Sequence, residues 1–185
     1  HPILVADALK FALTFRNQLP PPAVRPLVDA ATALLGAPDV VVQSYAAATI
    51  ERLLSVRDRV PVAAAAAVGA TNGVGAPPAP PPGPTRSVGR VTKAEVATWL
   101  PTLLPALLSV LTATTRADAS ATTENVYVAK ALLRTLSTAR EAVPPAAVQA
   151  ALSTLVRVIG VVAANPANPA FNHYVFECVS ALVRF

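Results

Sequence analysis

The chain of 185 residues carries 15 basic and 10 acidic side chains, and this modest net charge of +5 comes without a basic run interleaved with aromatics. We therefore expect no nucleic-acid partner, and we expect no membrane span because no run of about 18 apolar residues lacks a charge or a helix breaker. One cysteine excludes an internal disulfide framework and fits an intracellular setting, and the absence of any methionine predicts an internal piece of a longer protein.

Three stretches with helical periodicity precede a change in composition near residue 57. The first begins at Pro2 and is broken by three prolines at 20–22. The second runs from about 23 to 35, and the third begins after Pro38. In the first stretch, apolar residues recur at helical spacing and predict the face that packs into the core: Leu4, Ala8, Phe11 and Phe15.

Residues 57–91 differ in composition from the rest of the chain. They hold five of the seven glycines and seven of the 19 prolines, which is typical of a disordered or extended linker rather than a folded element. We therefore divide the chain into helices at 1–56, an Ala/Pro/Gly-rich linker or insertion at 57–91, and helices at 92–185. No strand-type alternation of useful length occurs, so we expect an all-helical chain.

Further helical stretches follow the predicted linker. The first opens with Thr92 and Glu95, which have the S/T-x-x-E spacing of a capping box. Its Pro101 and Pro105 predict a kink or a division of the helix. The next stretch spans about 122–141, and two more follow it, separated by the sequence NPANP.

The helices recur at a regular spacing. ADALKFALTF at 6–15 aligns with YAAATIERLL at 45–54 at an offset of 39 residues, and NVYVAKALL at 125–133 aligns with NHYVFECVS at 172–180 at an offset of 47. Helix pairs that repeat every 40–47 residues or so are typical of HEAT and armadillo arrays, in which each unit buries its apolar face on its neighbours. The predicted fold is an all-α HEAT-repeat solenoid of antiparallel helix pairs, part of a longer superhelix. The second alignment predicts four repeat-core positions: Tyr127, Ala131, Tyr174 and Cys178.

The last helical stretch gathers a histidine, a glutamate and the cysteine within six residues. At about 100° per residue, His173 and Glu177 share a polar stripe, whereas Cys178 points about 140° away from His173. A Cys–His dyad is therefore excluded within this helix. His173 and Glu177 provide only two potential metal ligands, and the only other histidine is His1. Two ligands do not make a metal site. We expect no catalytic residue, no metal and no cofactor, and we expect Cys178 to be buried as a small apolar group.

Four blocks of the sequence resemble a known family. FRNQ (15–18), YAAATIERL (45–53), TENVYVAKALLR (123–134) and NPANPAFNHYVFE (165–177) are similar to the central HEAT repeats of the CAS-type importin-α re-exporters, within the importin-β superfamily. The blocks fall in the family's order and at comparable spacing, and the resemblance extends over nearly the whole chain outside about 58–91. That segment looks longer and richer in alanine and proline than in the family, as in a lineage-specific insertion.

The resemblance implies a nuclear transport receptor rather than an enzyme. Such a receptor binds importin-α together with Ran-GTP in the nucleus, crosses the pore in transient contact with nuclear pore proteins, and releases importin-α in the cytoplasm after GTP hydrolysis. As candidate partner-binding residues we single out five polar side chains: Arg57, Lys130, Arg134, His173 and Glu177.

Two alternatives stay open on the residues alone. A different HEAT or armadillo scaffold shares the same periodicity, and the block at 165–177 is what discriminates against it. The second alternative is an α-helical enzyme that uses His173, Glu177 and Cys178 of the last helix. Against it, the sequence offers no third metal ligand, no glycine-rich phosphate loop and no paired carboxylates. Trp99 is interpreted as a core residue, and Arg57 with Arg59 as a solvated pair. Four acidic residues are scattered and are interpreted as surface or capping groups: Asp7, Asp29, Asp39 and Glu51.

Overall fold

The computed structural model describes residues 1–61, 85–116, 124–164 and 166–184. Most of the predicted linker, residues 62–84, lies outside the described residues. The described residues form seven α-helices, one short 3-10 helix (Arg140–Ala142) and two strands. In chain order, the α-helices and strands are α1 (Pro2–Thr14), α2 (Pro21–Leu34), α3 (Val40–Leu54), β1 (Arg57–Pro61), β2 (Thr85–Gly89), α4 (Lys93–Arg116), α5 (Val126–Ala139), α6 (Pro145–Ala164) and α7 (Pro169–Arg184).

The helices are arranged in two layers. Helices α1, α3, α5 and α7 pack side by side in one layer, which we call the odd-helix layer, and α2, α4 and α6 form the even-helix layer. Between the layers, α2 packs on α3, α4 on α5, and α6 on α7. Each pair thus buries its apolar side against the next pair, as in a solenoid. The predicted all-α, HEAT-type fold is confirmed.

The core lies between the two layers and is built from leucine, valine and alanine at helical spacing. On α4, Leu103, Leu107 and Leu111 follow one another four residues apart and are fully buried, so they form one continuous stripe. Phe171 on α7 is the largest fully buried side chain. Trp99 is buried as predicted.

The buried side of α1 is not the predicted one. Ala6, Leu9 and Ala12 are buried, and they face α3, which packs on α1. An offset of 41 residues, rather than 39, brings Leu9 over Ile50, which is also buried. The physical reason is that α1 carries apolar residues on two sides, and periodicity alone does not select between them. All four residues predicted to face the core are exposed instead: Leu4, Ala8, Phe11 and Phe15.

Side-chain caps begin several of the helices. The predicted capping box is confirmed, because Glu95 N donates to Thr92 Oγ1 at 3.2 Å and Thr92 N donates to Glu95 Oε2 at 2.7 Å. Asp39 Oδ1 accepts from the backbone N–H of Val41 at 2.8 Å at the start of α3. Each cap satisfies an N–H group that the first helical turn leaves without a partner.

Helix α4 is continuous despite its two internal prolines. Pro101 and Pro105 both lie on its exposed side, while the opposite side packs into the core. The helix is therefore not divided.

Two helical segments, Lys93–Ala113 and Pro145–Ala164, are long and apolar enough to cross a membrane by length and composition. Core helices of folded proteins share this length and composition.

A small antiparallel hairpin lies at the ends of the predicted linker. In it, β1 pairs with β2 from Arg57 opposite Gly89 to Pro61 opposite Thr85. The expectation of no strands is wrong here. Each strand has only five residues, too few for an alternating pattern to be recognised, and a tertiary contact made by Arg90 holds the hairpin against the loop after α1.

Candidate functional site

Four of the five predicted partner-binding residues lie on the odd-helix layer. Helix α5 contributes Lys130 and Arg134, and α7 contributes His173 and Glu177. Three of them are exposed, and Lys130 is half-buried. Because α5 packs between α3 and α7, these side chains belong to a surface that crosses neighbouring repeats. We call this exposed surface of α3, α5 and α7 the odd-helix face.

Lys130 lies between two tyrosine rings. Its Nζ is 5.0 Å from the ring centroid of Tyr174 on α7 and 6.0 Å from that of Tyr127 on its own helix, both within cation–π range. Tyr127 is 52% exposed, so its prediction as a core residue is wrong, whereas Ala131 is fully buried as predicted. Tyr127 lies in the first turn of α5, where its ring contacts the Lys130 side chain and solvent rather than the core. Among the described residues, no carboxylate lies within ion-pair distance of Lys130.

Arg134 lies near a carboxylate from the preceding repeat. Glu51 on α3 has its Oε1 3.8 Å from Arg134 Nη2 and its Oε2 3.2 Å from Arg52 Nε. The hydroxyl of Ser55 also donates to Glu51 Oε1 at 3.0 Å. The Glu51 side chain is only 16% exposed, and these contacts satisfy it. Sequence reasoning missed this role, since no local pattern links two residues 83 positions apart.

A groove opens beside Lys130, between α1, α3 and α5. It has a volume of about 360 Å³. Its lining combines apolar and aromatic side chains with two cations and one carboxylate, and Ala48 contributes only a methyl group to it. The lining residues are Leu13, Ser44, Tyr45, Ala48, Glu51, Arg52, Tyr127 and Lys130.

The polar cluster at the start of α7 does not form a catalytic pair. His173 is exposed and meets the Tyr174 ring edge-on, with 5.1 Å between ring centroids. Cys178 is fully buried, with its Sγ 3.6 Å from the carbonyl oxygen of Ala129. Burial, and to a smaller extent the charge of Glu177, raises the pKa of the Cys178 thiol to about 12. The thiol is therefore neutral and shielded, which confirms the predicted burial.

Arg57 lies apart from the other four predicted residues, on β1. It is exposed, and its guanidinium donates to the hydroxyl of Ser87 at 2.9 Å and to the carbonyl of Ser87 at 3.2 Å across the hairpin. Arg59 on the same strand is also exposed. Within the described residues, no three His, Cys, Asp or Glu side chains come close enough to hold a metal ion.

Two family models match the chain. A model described as Cse1 matches residues 1–50, and one described as the C-terminus of CAS/CSE proteins matches residues 85–185. The residues between the two matches, 51–84, include most of the predicted insertion.

Similar curated proteins extend over almost the entire chain. The importin-alpha re-exporter of Schizosaccharomyces pombe is 31% identical over 185 residues, which is all of this chain and 16% of that protein. Exportin-2 of Mus musculus and exportin-2 of Homo sapiens are each 30% identical over 183 residues, which is 99% of this chain and 15% of each relative. The chain thus spans about a sixth of the length of these relatives.

Proposed function

The chain belongs to the CAS/CSE protein family, and from this membership we propose that it forms part of a nuclear export receptor for importin-α. The receptor carries importin-α from the nucleus to the cytoplasm in a complex that requires Ran-GTP. It shuttles between the two compartments, contacts nuclear pore proteins transiently, and acts by binding rather than by catalysis. The observation that carries this proposal is the CAS/CSE match over residues 85–185, supported by relatives named exportin-2.

The odd-helix face supports a binding role. It offers charged and aromatic side chains from successive repeats, and a solenoid presents such surfaces to large partners over many repeats. We propose that Lys130, Arg134, His173 and Glu177 contribute partner contacts on this face. Arg57 is proposed as a separate contact on the hairpin.

The requirement for Ran-GTP follows from linked binding. If importin-α and Ran-GTP both favour the same curvature of the solenoid, each raises the affinity of the other by the same factor. A chain of stacked repeats changes curvature through small adjustments at many interfaces. The proposed receptor therefore holds importin-α tightly only while Ran remains in its GTP form.

The test uses the full-length gene product that contains this chain. Its affinity for importin-α is measured by calorimetry in three conditions: without Ran, with Ran locked in the GTP form, and with Ran-GDP as the matched control. We expect tight binding only with Ran-GTP. The isolated 185-residue chain should bind either partner more weakly, because the contacts are distributed. Equal affinity for importin-α in all three conditions would contradict the proposed function.

A further inference from the structure

We propose that Lys130 and the adjoining groove bind an acidic segment of a partner protein, with one apolar side chain of that segment inserted between α3 and α5. This inference rests on the proposed receptor function, because it names the chemistry recognised by the same face. The acidic residue pairs with Lys130, and the neighbouring apolar residue occupies the space above Ala48.

The first observation is the state of the Lys130 ammonium. The Lys130 side chain is half-buried, and its Nζ lies 5.0 Å from the ring centroid of Tyr174 and 6.0 Å from that of Tyr127, so both rings restrict its position. No described carboxylate is within ion-pair distance of it. A cation held in place without an anion attracts a carboxylate at a lower entropic cost than a mobile surface lysine.

The second observation is the balance of charge around the groove. The charged residues that line the groove are Arg52, Lys130 and Glu51, and Glu51 contacts both Arg52 and Arg134, the latter from outside the lining. Because Glu51 is engaged with both arginines and with Ser55, it does not neutralise Lys130. The rim is therefore net positive and complementary to an acidic partner.

The third observation is the lining of the groove. Tyr45 and Tyr127 supply aromatic surface, Leu13 supplies an apolar wall, and Ala48 is too small to fill the space between them. A cavity of about 360 Å³ accepts a leucine or phenylalanine side chain. Apolar anchors in such pockets contribute much of the affinity of protein interfaces.

The test compares three variants of the full-length gene product with the wild type. Lys130→Ala removes the cation, Ala48→Leu fills the groove, and Arg157→Ala on α6 removes an exposed charge from the other layer as the matched control. Binding is measured for Ran-GTP alone and for importin-α in the presence of Ran-GTP. We expect Lys130→Ala and Ala48→Leu each to weaken one of these steps at least about fivefold, and Arg157→Ala to stay within about twofold.

The step that weakens identifies the source of the acidic segment. A loss with Ran-GTP alone assigns it to Ran, and a loss only when importin-α is added assigns it to importin-α. Unchanged binding of both partners by Lys130→Ala and Ala48→Leu overturns the inference. Unchanged melting temperatures of the three variants are the control for folding.

A peptide probe separates this inference from the proposed function. A labelled Glu-Glu-Leu-Glu-Glu peptide should bind the wild type and Arg157→Ala, and should lose affinity at least about fivefold with Lys130→Ala and Ala48→Leu. A Lys-Lys-Leu-Lys-Lys peptide is the control and should not bind. The wild type could bind neither Ran-GTP nor importin-α and still bind the acidic peptide in a way that requires Lys130. In that case the receptor proposal fails, and the inference that the groove binds an acidic segment is supported. Equal affinity of all variants for the acidic peptide would contradict the inference that this groove binds an acidic segment.

Discussion

Arg90 and Asp58 form a bidentate ion pair at the base of the hairpin. Arg90 Nε is 3.0 Å from Asp58 Oδ2, and Arg90 Nη2 is 2.6 Å from Asp58 Oδ1. The same guanidinium also donates to the backbone carbonyls of Arg16, Asn17 and Leu19 at 3.0–3.2 Å. The Arg90 side chain is only 12% exposed. One side chain thus joins the hairpin to the loop that follows α1.

Replacing Arg90 with alanine should release the hairpin from this loop. The change removes the hydrogen bonds to Asp58 and leaves three backbone carbonyls without their donor. We expect faster amide hydrogen exchange in β1 and β2, measured by mass spectrometry, with little change in the core helices. Arg90→Lys is the matched variant, and it should rescue only in part, since an ammonium lacks the planar fork of donors. Unchanged exchange in both strands would show that the strands hold without Arg90.

The Arg90–Asp58 contact should weaken in acid. The hydrogen bond from Arg90, despite a smaller opposing effect of burial, holds the pKa of the Asp58 carboxyl below its ordinary value of 3.8. The contribution of the pair to stability is therefore fully present above pH 3.8 and is lost as the pH falls through the lowered pKa. The protection of the β1 and β2 amides, taken relative to the intrinsic exchange rate at each pH, should fall below this pH in the wild type. Asp58→Asn should lack that step, and an identical acid profile in both proteins would contradict the assignment.

Cys178 should be unreactive toward thiol reagents in the folded protein. Its buried thiol has a pKa raised to about 12, so the reactive thiolate is scarce at neutral pH. A thiol reagent should modify it only at the rate of unfolding, whereas the unfolded chain should react at once. Because the unfolded thiol has a pKa near 9.0, the contribution of this group to stability is present below pH 9.0 and falls as the pH rises toward 12. Modification of the native protein as fast as a free peptide thiol would show that Cys178 is accessible.

Two phenylalanines of α7 provide a matched test of the packing. Phe171 is fully buried, whereas Phe176 is 55% exposed. Phe171→Ala should lower the free energy of unfolding by about 3–5 kcal/mol, because it leaves a cavity in the core. Phe176→Ala should change it by less than about 0.5 kcal/mol. Urea unfolding followed by circular dichroism gives both values, and equal losses would place the core on a different side of α7.

Features that depend on neighbours along the chain could be predicted from the sequence. Helical periodicity identified the helices, the Thr92–Glu95 spacing identified a cap, and rotation per residue separated His173 from Cys178. The blocks that resemble the CAS type are also local, so the family could be recognised without a structure. Each of these signals depends on backbone geometry within a few residues.

Which surfaces meet became clear from the packing of the helices. The fold selected the buried side of α1 through the packing of α3 on Ala6, Leu9 and Ala12, whereas helical periodicity left two apolar sides to choose from. It paired β1 with β2, joined this hairpin to the loop after α1 through Arg90, and placed Lys130 against Tyr174 from the next repeat. Contacts between residues tens of positions apart depend on how whole helices stack, and a local sequence pattern does not predict that stacking.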